Sequence, residues 1–528
     1  MKPSLWIVQC LVLLGLVVAP VGPGLQAAVP HLADCSFLNP LVPAGADPSV
    51  VFHDGAYYMV QSSGTGMSIV RSETLTGLNP VNAVSVYQAP TGQPYSYDWW
   101  APELKWIDGQ WVVYVAATDA PGNNTLHRMF VLEADTDDPL GDWTMRGQVT
   151  DPDADVWAID ASVFEHDDQL YMIWSGWPEF DSGFPQNLYI APMSDPFTIS
   201  GPRVMIGEPD KLWERSVAPI NEGPQAFIHE GELSIVYSAD ASWTRHYKLA
   251  ILHLTGEDPL DPAAWTEIGP VFAQVPTSLT PIYGPGHNSD PIPSLDGTEW
   301  WFLYHAKTRS ADGWDDRAIY LQEITWSDEG LPLLGDPIPS EFAQPIPSGE
   351  PCGLVATYAE PALTEAEPFL DTGAAWIATK GSFSVAARVR LFDLEGPDAF
   401  VSQEGGLTSN FILGYDGEAF TFSMYDMLGQ KSVTAAAATP VAPDVWVHLI
   451  GIYDATQDLL TIYVDGEPQG QATFTEVWDA LGHTIIGAAR QRSRRADILS
   501  GGEVRDVQLF NGALTEAEIE AIASASPD

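Results

Sequence analysis

Between residues 47 and 335, short apolar runs alternate with acidic turns in a pattern that repeats five times. The repeats begin at Asp47, Ala101, Asp160, Glu222 and His287, so successive starts lie 54, 59, 62 and 65 residues apart. Each has a short lead, such as Asp47-Pro48-Ser49 or Asp160-Ala161-Ser162, and then an apolar run. An acidic turn follows, at Asp54-Gly55, Asp108-Gly109, Asp167-Asp168, Glu230-Gly231 and Asp296-Gly297, before a second run rich in Tyr, Trp, Val and Ile. Apolar runs joined by such turns predict β-hairpins, because Asp and Gly tolerate the positive φ angles of a tight connection. Further strands are predicted after each hairpin, as in Met67–Ser72 and Asn187–Asp195. Five copies of one hairpin-based unit predict a propeller with one sheet per repeat, the first strand of each lining the central channel. The leading residues then meet at one mouth of that channel, which gathers Asp47, Asp160, Glu222 and His287 from distant parts of the chain.

The pattern changes twice outside this region. Residues 1–28 combine Lys2, an apolar stretch from Leu5 to Ala19 and the small-residue end Ala27-Ala28, which is the form of a signal peptide. Residues 336–352 are rich in Pro and read as a linker. From 353 to 528 the runs alternate apolar and polar positions, as in Phe383–Phe392 and Leu460–Gly466, and Asp-Gly turns recur, predicting the antiparallel sheets of a β-sandwich of the jelly-roll type. One helix is predicted after Thr515, with Thr515 and Glu518 as a capping box. The fold class is therefore all-β: a five-bladed propeller over 29–335, the linker, and a sandwich over 353–528.

Charge narrows the partners. The chain of 528 residues has 71 acids against 22 bases, a net charge of −49. Loss of residues 1–28 removes Lys2 and no acid, leaving 71 against 21. Such a surplus argues against nucleic acid and anionic membranes, repels acidic polysaccharides, and favours a neutral polysaccharide or oligosaccharide. After signal cleavage no membrane attachment is expected, and the mature protein is expected outside the cytoplasm, periplasmic or extracellular. Two cysteines then remain, Cys35 before the first repeat and Cys352 after the last. In an exported protein their placement predicts a disulfide that ties the two ends of the propeller together.

Three acids in one pocket fit glycoside hydrolysis, in which one carboxylate activates water and one carboxylic acid protonates the leaving oxygen. A further acid beside the proton donor raises its pKa. The series Asp47-Pro48-Ser49, Trp100-Ala101-Pro102-Glu103, Asp160-Ala161-Ser162, Asn221-Glu222-Gly223-Pro224 and Gly284-Pro285-Gly286-His287-Asn288 resembles glycoside hydrolase family 43 in order and spacing. The resemblance implies an inverting hydrolase with Asp47 as general base, Asp160 as pKa modulator and Glu222 as general acid. It departs at Ala161, where Pro is frequent, and at Gln225, where His or Ala is frequent. It further implies a substrate contact at Arg317, a histidine at His287 that helps hold calcium through waters, and no cofactor for the chemistry itself, while the place of Trp100 and Trp99 beside the channel mouth suits stacking on a sugar. His305 is read as structural. Within the family the motifs look most like α-L-arabinofuranosidases acting on plant or algal polysaccharide. A β-xylosidase or galactan-active hydrolase is the rival enzyme, and a non-catalytic lectin the rival from another class. The C-terminal region resembles concanavalin A-like or laminin-G-like domains, which bind sugar or support a neighbouring pocket.

Overall fold

A computed structural model describes residues 36–524 except 79, 81–82, 152–153, 181, 351–352, 360, 362, 364–367, 374 and 500. The predicted signal peptide and both cysteines of the expected disulfide, Cys35 and Cys352, lie outside the described residues. Among the described residues no helix is long and apolar enough to cross a membrane.

The first region forms five antiparallel sheets in chain order, each of four or five strands. Their first strands are Ser49–His53, Tyr97–Ile107, Ala158–His166, Asn221–His229 and Tyr283–Gly286. Four of the predicted hairpins have two-residue connections, with His53 paired to Ala56, Ile107 to Gln110, His166 to Gln169 and His229 to Glu232. Both connecting residues have positive φ in each case, for example 47° and 77° at Asp54-Gly55. The acidic residues in these turns thus serve the backbone, as expected. The fifth sheet differs: its innermost pairing joins Pro293 to Trp300, leaving a longer loop around Asp296-Gly297.

Each neighbouring pair of sheets shares one apolar core. Val60 and Ile69 of the first sheet pack with Trp111 and Val113 of the second, and Val112 and Tyr114 of the second with Met172 and Trp174 of the third. Ile173 and Ile190 then meet Ile235 and Leu252, and Val236 and Ile251 meet Phe302 and Tyr320. The fifth core joins Trp301, Leu303 and Ile319 of the last sheet to Val50, Tyr57 and Met59 of the first. Five shared cores between five sheets close the ring. Trp143 and Trp265, which recur at sheet ends, are buried in these cores as packing residues.

The ring is also sealed by its ends. Ser36–Phe37 pairs antiparallel with Gln344–Pro345. Asn39 Nδ2 donates to the Leu321 carbonyl at 2.8 Å, and Leu321 N–H donates back to Asn39 Oδ1 at 2.9 Å. The Pro-rich segment is a strap along the propeller: buried Glu350 accepts from the backbone N–H groups of Leu75 and Thr76, and Ser348 donates to Asp296 at 2.6 Å.

The second region is a sandwich of two six-stranded antiparallel sheets. Phe383, Phe411, Phe422, Leu449 and Leu460 are fully buried between them. Its one α-helix among the described residues, Glu516–Ser524, starts at the predicted capping box, with Thr515 N–H donating to Glu518 Oε2 at 2.7 Å and Glu518 N–H to Thr515 Oγ1 at 3.4 Å.

Candidate active site

The lead residues of the five inner strands share one backbone feature. Asp47, Ala101, Asp160 and His287 have φ of 52°, 42°, 55° and 47°. In the fourth blade the same turn falls one residue after Glu222, at Gly223, with φ of 56°. Left-handed backbone at non-glycine residues costs about 1–3 kcal/mol each and gathers at functional sites. Here it interrupts strand pairing, with register shifts between Ile159 and Ser162 and between Glu222 and Gln225. Gly223 has a second constraint: a Cβ there would stand 3.1 Å from His287 Nδ1.

Asp47, Asp160, Glu222 and His287 line one pocket of about 820 Å³, together with Trp100 and Arg317. A pocket of that size holds a small oligosaccharide segment. Its walls are aromatic: Trp157, Trp177, Phe184, Trp243 and Trp314 stand around the acids. Every lining residue belongs to the propeller, so the described residues of the sandwich do not shape the pocket.

Asp47 is surrounded by one guanidinium and two imidazoles. Its Oδ1 lies 3.0 Å from His305 Nδ1, 3.4 Å from His287 Nδ1 and 3.3 Å from Arg317 Nη1. Burial pushes its carboxyl up, but His287, Arg317 and His305 outweigh burial and hold it well below the usual carboxylate range. Burial pushes both imidazoles down, His305 to about 4, so Arg317 is the lasting positive charge beside this carboxylate at neutral pH. His305 therefore touches the proposed base directly, beyond the structural role expected of it.

The other two acids go the opposite way. Glu222 is 7% exposed, and burial with the nearby Asp47 charge pushes it up to about 7, against the opposing effects of Tyr247, Ser242 and Arg317. Asp160 is pushed well above the usual range by burial, then by Glu222 and Asp47. Its Oδ2 accepts from the Gly223 N–H at 3.0 Å, which ties it to the residue beside Glu222. One carboxylate is thus held ionised and another held protonated near neutrality, the division of labour that acid–base catalysis requires.

Trp100 is 37% exposed, with its indole stacked on His127 at 3.7 Å between ring centres. Trp99 departs from the expectation of substrate contact. It is 2% exposed, stacks on Tyr87 and donates from its indole N–H to the Tyr95 carbonyl at 2.7 Å, inside the core of the blade. Adjacent strand residues face opposite sides, so only one of the pair reaches the pocket.

The calcium implied for His287 finds one suitable feature, the buried Nε2, which has no hydrogen-bond partner among the described residues. The charges along the channel do not suit a divalent ion. Asp290, three residues further on in the segment between Tyr283–Gly286 and Ile292–Pro293, is paired to Lys105 Nζ. Burial pushes Glu103 up to about 8, so it carries little negative charge at neutral pH. One imidazole nitrogen beside a channel that already contains a lysine is not a calcium donor set.

A buried three-carboxylate pocket at the mouth of a propeller defines a glycoside hydrolase. The comparisons place it further: the profile of glycosyl hydrolases family 43 matches residues 37–332, and the chain belongs to that family. The profile of the concanavalin A-like lectin/glucanases superfamily matches residues 369–520. The chain is 34% identical over 339 residues to an extracellular exo-α-(1→5)-L-arabinofuranosidase of Streptomyces avermitilis, an alignment covering 62% of this chain and 69% of the relative. It is 33% identical over 315 residues to α-L-arabinofuranosidase 43 of Humicola insolens, covering 58% and 64%. Among solved structures, an α-L-arabinofuranosidase from Lactobacillus brevis superposes with a TM-score of 0.53 at 34% identity, over 58% of this chain and 98% of that one.

Proposed function

We propose that this protein is a secreted, inverting α-L-arabinofuranosidase acting on arabinose-bearing polysaccharide or oligosaccharide. The observation that carries the mechanism is the opposed ionisation of Asp47 and Glu222 in one pocket. Asp47 takes a proton from water as its oxygen bonds to the anomeric carbon. Glu222 gives its proton to the leaving glycosidic oxygen as the carbon–oxygen bond breaks. Asp160 is the modulator: it shares the buried site with Glu222 and, bonded to the adjacent Gly223 N–H, keeps Glu222 in place, and proton exchange with solvent resets both groups. Positive charge develops on the sugar ring in the transition state, and the acidic pocket stabilises it.

The choice of arabinofuranoside over xyloside rests on the names of the curated relatives, and their description as extracellular supports secretion. Attack at chain ends is supported by the description of two relatives as exo-acting, and one wall of the pocket joins the fourth and fifth blades. Gly313 N–H donates to the Trp243 carbonyl at 2.8 Å, Lys307 Nζ donates to the same carbonyl at 3.1 Å, and Trp314 Nε1 donates to Ser242 at 3.3 Å. These bonds tie together the Ser242-Trp243 and Gly313-Trp314 segments that line the pocket.

The test is hydrolysis of nitrophenyl α-L-arabinofuranoside, nitrophenyl β-D-xyloside and linear arabinan, with proton NMR of the first anomer formed. Arabinose released in inverted configuration is expected. Xylose release moves the assignment to a β-xylosidase, and glycan binding with no product moves it to a lectin.

A further inference from the structure

Beneath the acids, the inner segments of the blades contribute a second layer of polar side chains. Ser49 follows Asp47 by two residues and Ser162 follows Asp160 by two. Glu103 and Lys105 follow Ala101 by two and four, Gln225 follows Glu222 by three, and Asp290 follows His287 by three. All five blades are therefore represented. Ser49, Glu103, Lys105, Ser162 and Gln225 are all buried.

The layer is one connected network. Gln225 Oε1 accepts from Ser162 Oγ at 2.8 Å and from Lys105 Nζ at 3.3 Å. Gln225 Nε2 donates to Glu103 Oε1 at 2.7 Å. Lys105 Nζ also bonds Asp290 Oδ2. Ser49 Oγ accepts from the Leu104 N–H at 2.9 Å, and Ser49 is one of the groups hydrogen-bonded to Glu103. The Gln225 amide is thus fixed from both ends. Its link to Ser162 joins the strand carrying Glu222 to the strand carrying Asp160, one layer below the Gly223-to-Asp160 bond. Lys105 reaches from the second blade to the fourth and the fifth, and it is the one lysine or arginine in the layer.

We propose that Lys105 is the built-in cation of the channel, a positioning residue that holds Gln225 and, through the Gln225–Ser162 bond, the strands bearing Glu222 and Asp160, so that the enzyme works without a divalent metal ion. This rests on the roles assigned above to the three acids. A buried ion pair is weak evidence for stability, but its registry role is well attested. The role here is registry: one amine fixes the relative height of three blades. Removing one partner leaves the other charge buried and unpaired.

The test has one arm that needs no variant. Native enzyme is dialysed against a chelator, and its metal content is measured by inductively coupled plasma mass spectrometry alongside kcat. No stoichiometric metal and an unchanged kcat are expected. Stoichiometric calcium, with kcat lost on chelation and regained with calcium, overturns the proposal. The second arm compares Lys105→Met with Lys105→Ser. Lys105→Met is expected to lower kcat about 10- to 100-fold with KM little changed, since small misplacements of reacting groups carry costs of that order. It should also move the alkaline limb of the kcat/KM profile, because the environment of Glu222 shifts; a purely structural role would leave that limb in place. Lys105→Ser opens space beside Asp290 and Gln225, and added calcium is expected to bind there and recover part of kcat. A Lys105→Met enzyme with kcat within about twofold of native and an unmoved limb overturns the positioning role. Should Lys105→Met fail to fold, the chelation arm still decides. Failure of this proposal leaves Asp47→Asn inactive, whereas failure of the functional assignment leaves Asp47→Asn active.

Discussion

The propeller and the sandwich both use left-handed aspartates in turns, and the propeller also places them where its inner strands begin. Both hold aspartates in left-handed backbone, Asp47 and Asp160 in one, Asp458 and Asp465 in the other. In the sandwich Asp458 and Asp465 make turns: Asp465 precedes Gly466 at the connection between Leu459–Val464 and Glu467–Thr473, and its Oδ1 accepts from the His448 N–H at 2.9 Å. In the propeller Asp47 and Asp160 stand at the entry to inner strands, outside the hairpin turns, and their side chains enter a shared pocket. Asp465 satisfies a neighbouring backbone group, whereas Asp47 is ringed by His287, His305 and Arg317 with its carboxylate open to the pocket. The difference teaches that backbone strain marks chemistry when it lies at the start of a strand rather than between two strands.

Substitutions at the two kinds of site sharpen or break that comparison. The largest effect is expected at the acids: Asp47→Asn and Glu222→Gln should each lower kcat by about 10³-fold while the melting temperature stays close to native. Near-native kcat in either, measured on nitrophenyl arabinofuranoside, breaks it. Next is the pH profile of kcat/KM. Glu222 must hold its proton, so activity is lost as pH rises through about 7. Asp47 must be ionised, and its lowered pKa keeps activity well into the acid range. Arg317→Met removes the lasting charge beside Asp47, so the acid limb should rise by about one to three pH units. An unmoved acid limb would show that Arg317 does not set the ionisation of Asp47. Smaller is Trp100→Ala, expected to raise KM about tenfold, or about 1.4 kcal/mol, with kcat retained. A fall in kcat at constant KM would argue against a stacking role. The smallest is Asp465→Ala, expected to cost about 1–2 kcal/mol of stability and no activity. Loss of activity there would erase the distinction between the two regions.

The repeat made most of the propeller legible. Hairpins at Asp54-Gly55, Asp108-Gly109 and Glu230-Gly231 carry their geometry in two residues, and the lead positions follow from the phase of the strands. Trp99 and Trp100 were not separable, because the second inner strand shifts register between Tyr97 and Trp100 and again between Trp100 and Glu103, which hides which tryptophan faces inward. The aromatic walls were missed, although a signal existed. Trp157 lies just before the third inner strand, Trp177 directly after the second strand of that blade, and Trp243 and Trp314 a few residues beyond the corresponding strands of theirs. In an antiparallel hairpin those positions all lie at the mouth where the inner strands begin. The Lys105 network was not legible, since its members are single polar residues in apolar runs and acquire meaning only when five strands are brought side by side.

The seal of the ring dictates the order in which this enzyme can come into being. Ser36 pairs with Pro345, 309 positions later in a chain made from its N-terminus. Synthesis delivers the first blade, and with it Asp47, long before the residues that ionise it. His287, His305 and Arg317 all arrive with the fifth blade. A nascent or shortened chain therefore has neither a closed ring nor a working base, and exposes the apolar edge of its first blade until the last one docks. Hydrolytic competence is a property of the finished propeller, conferred in its final step of assembly.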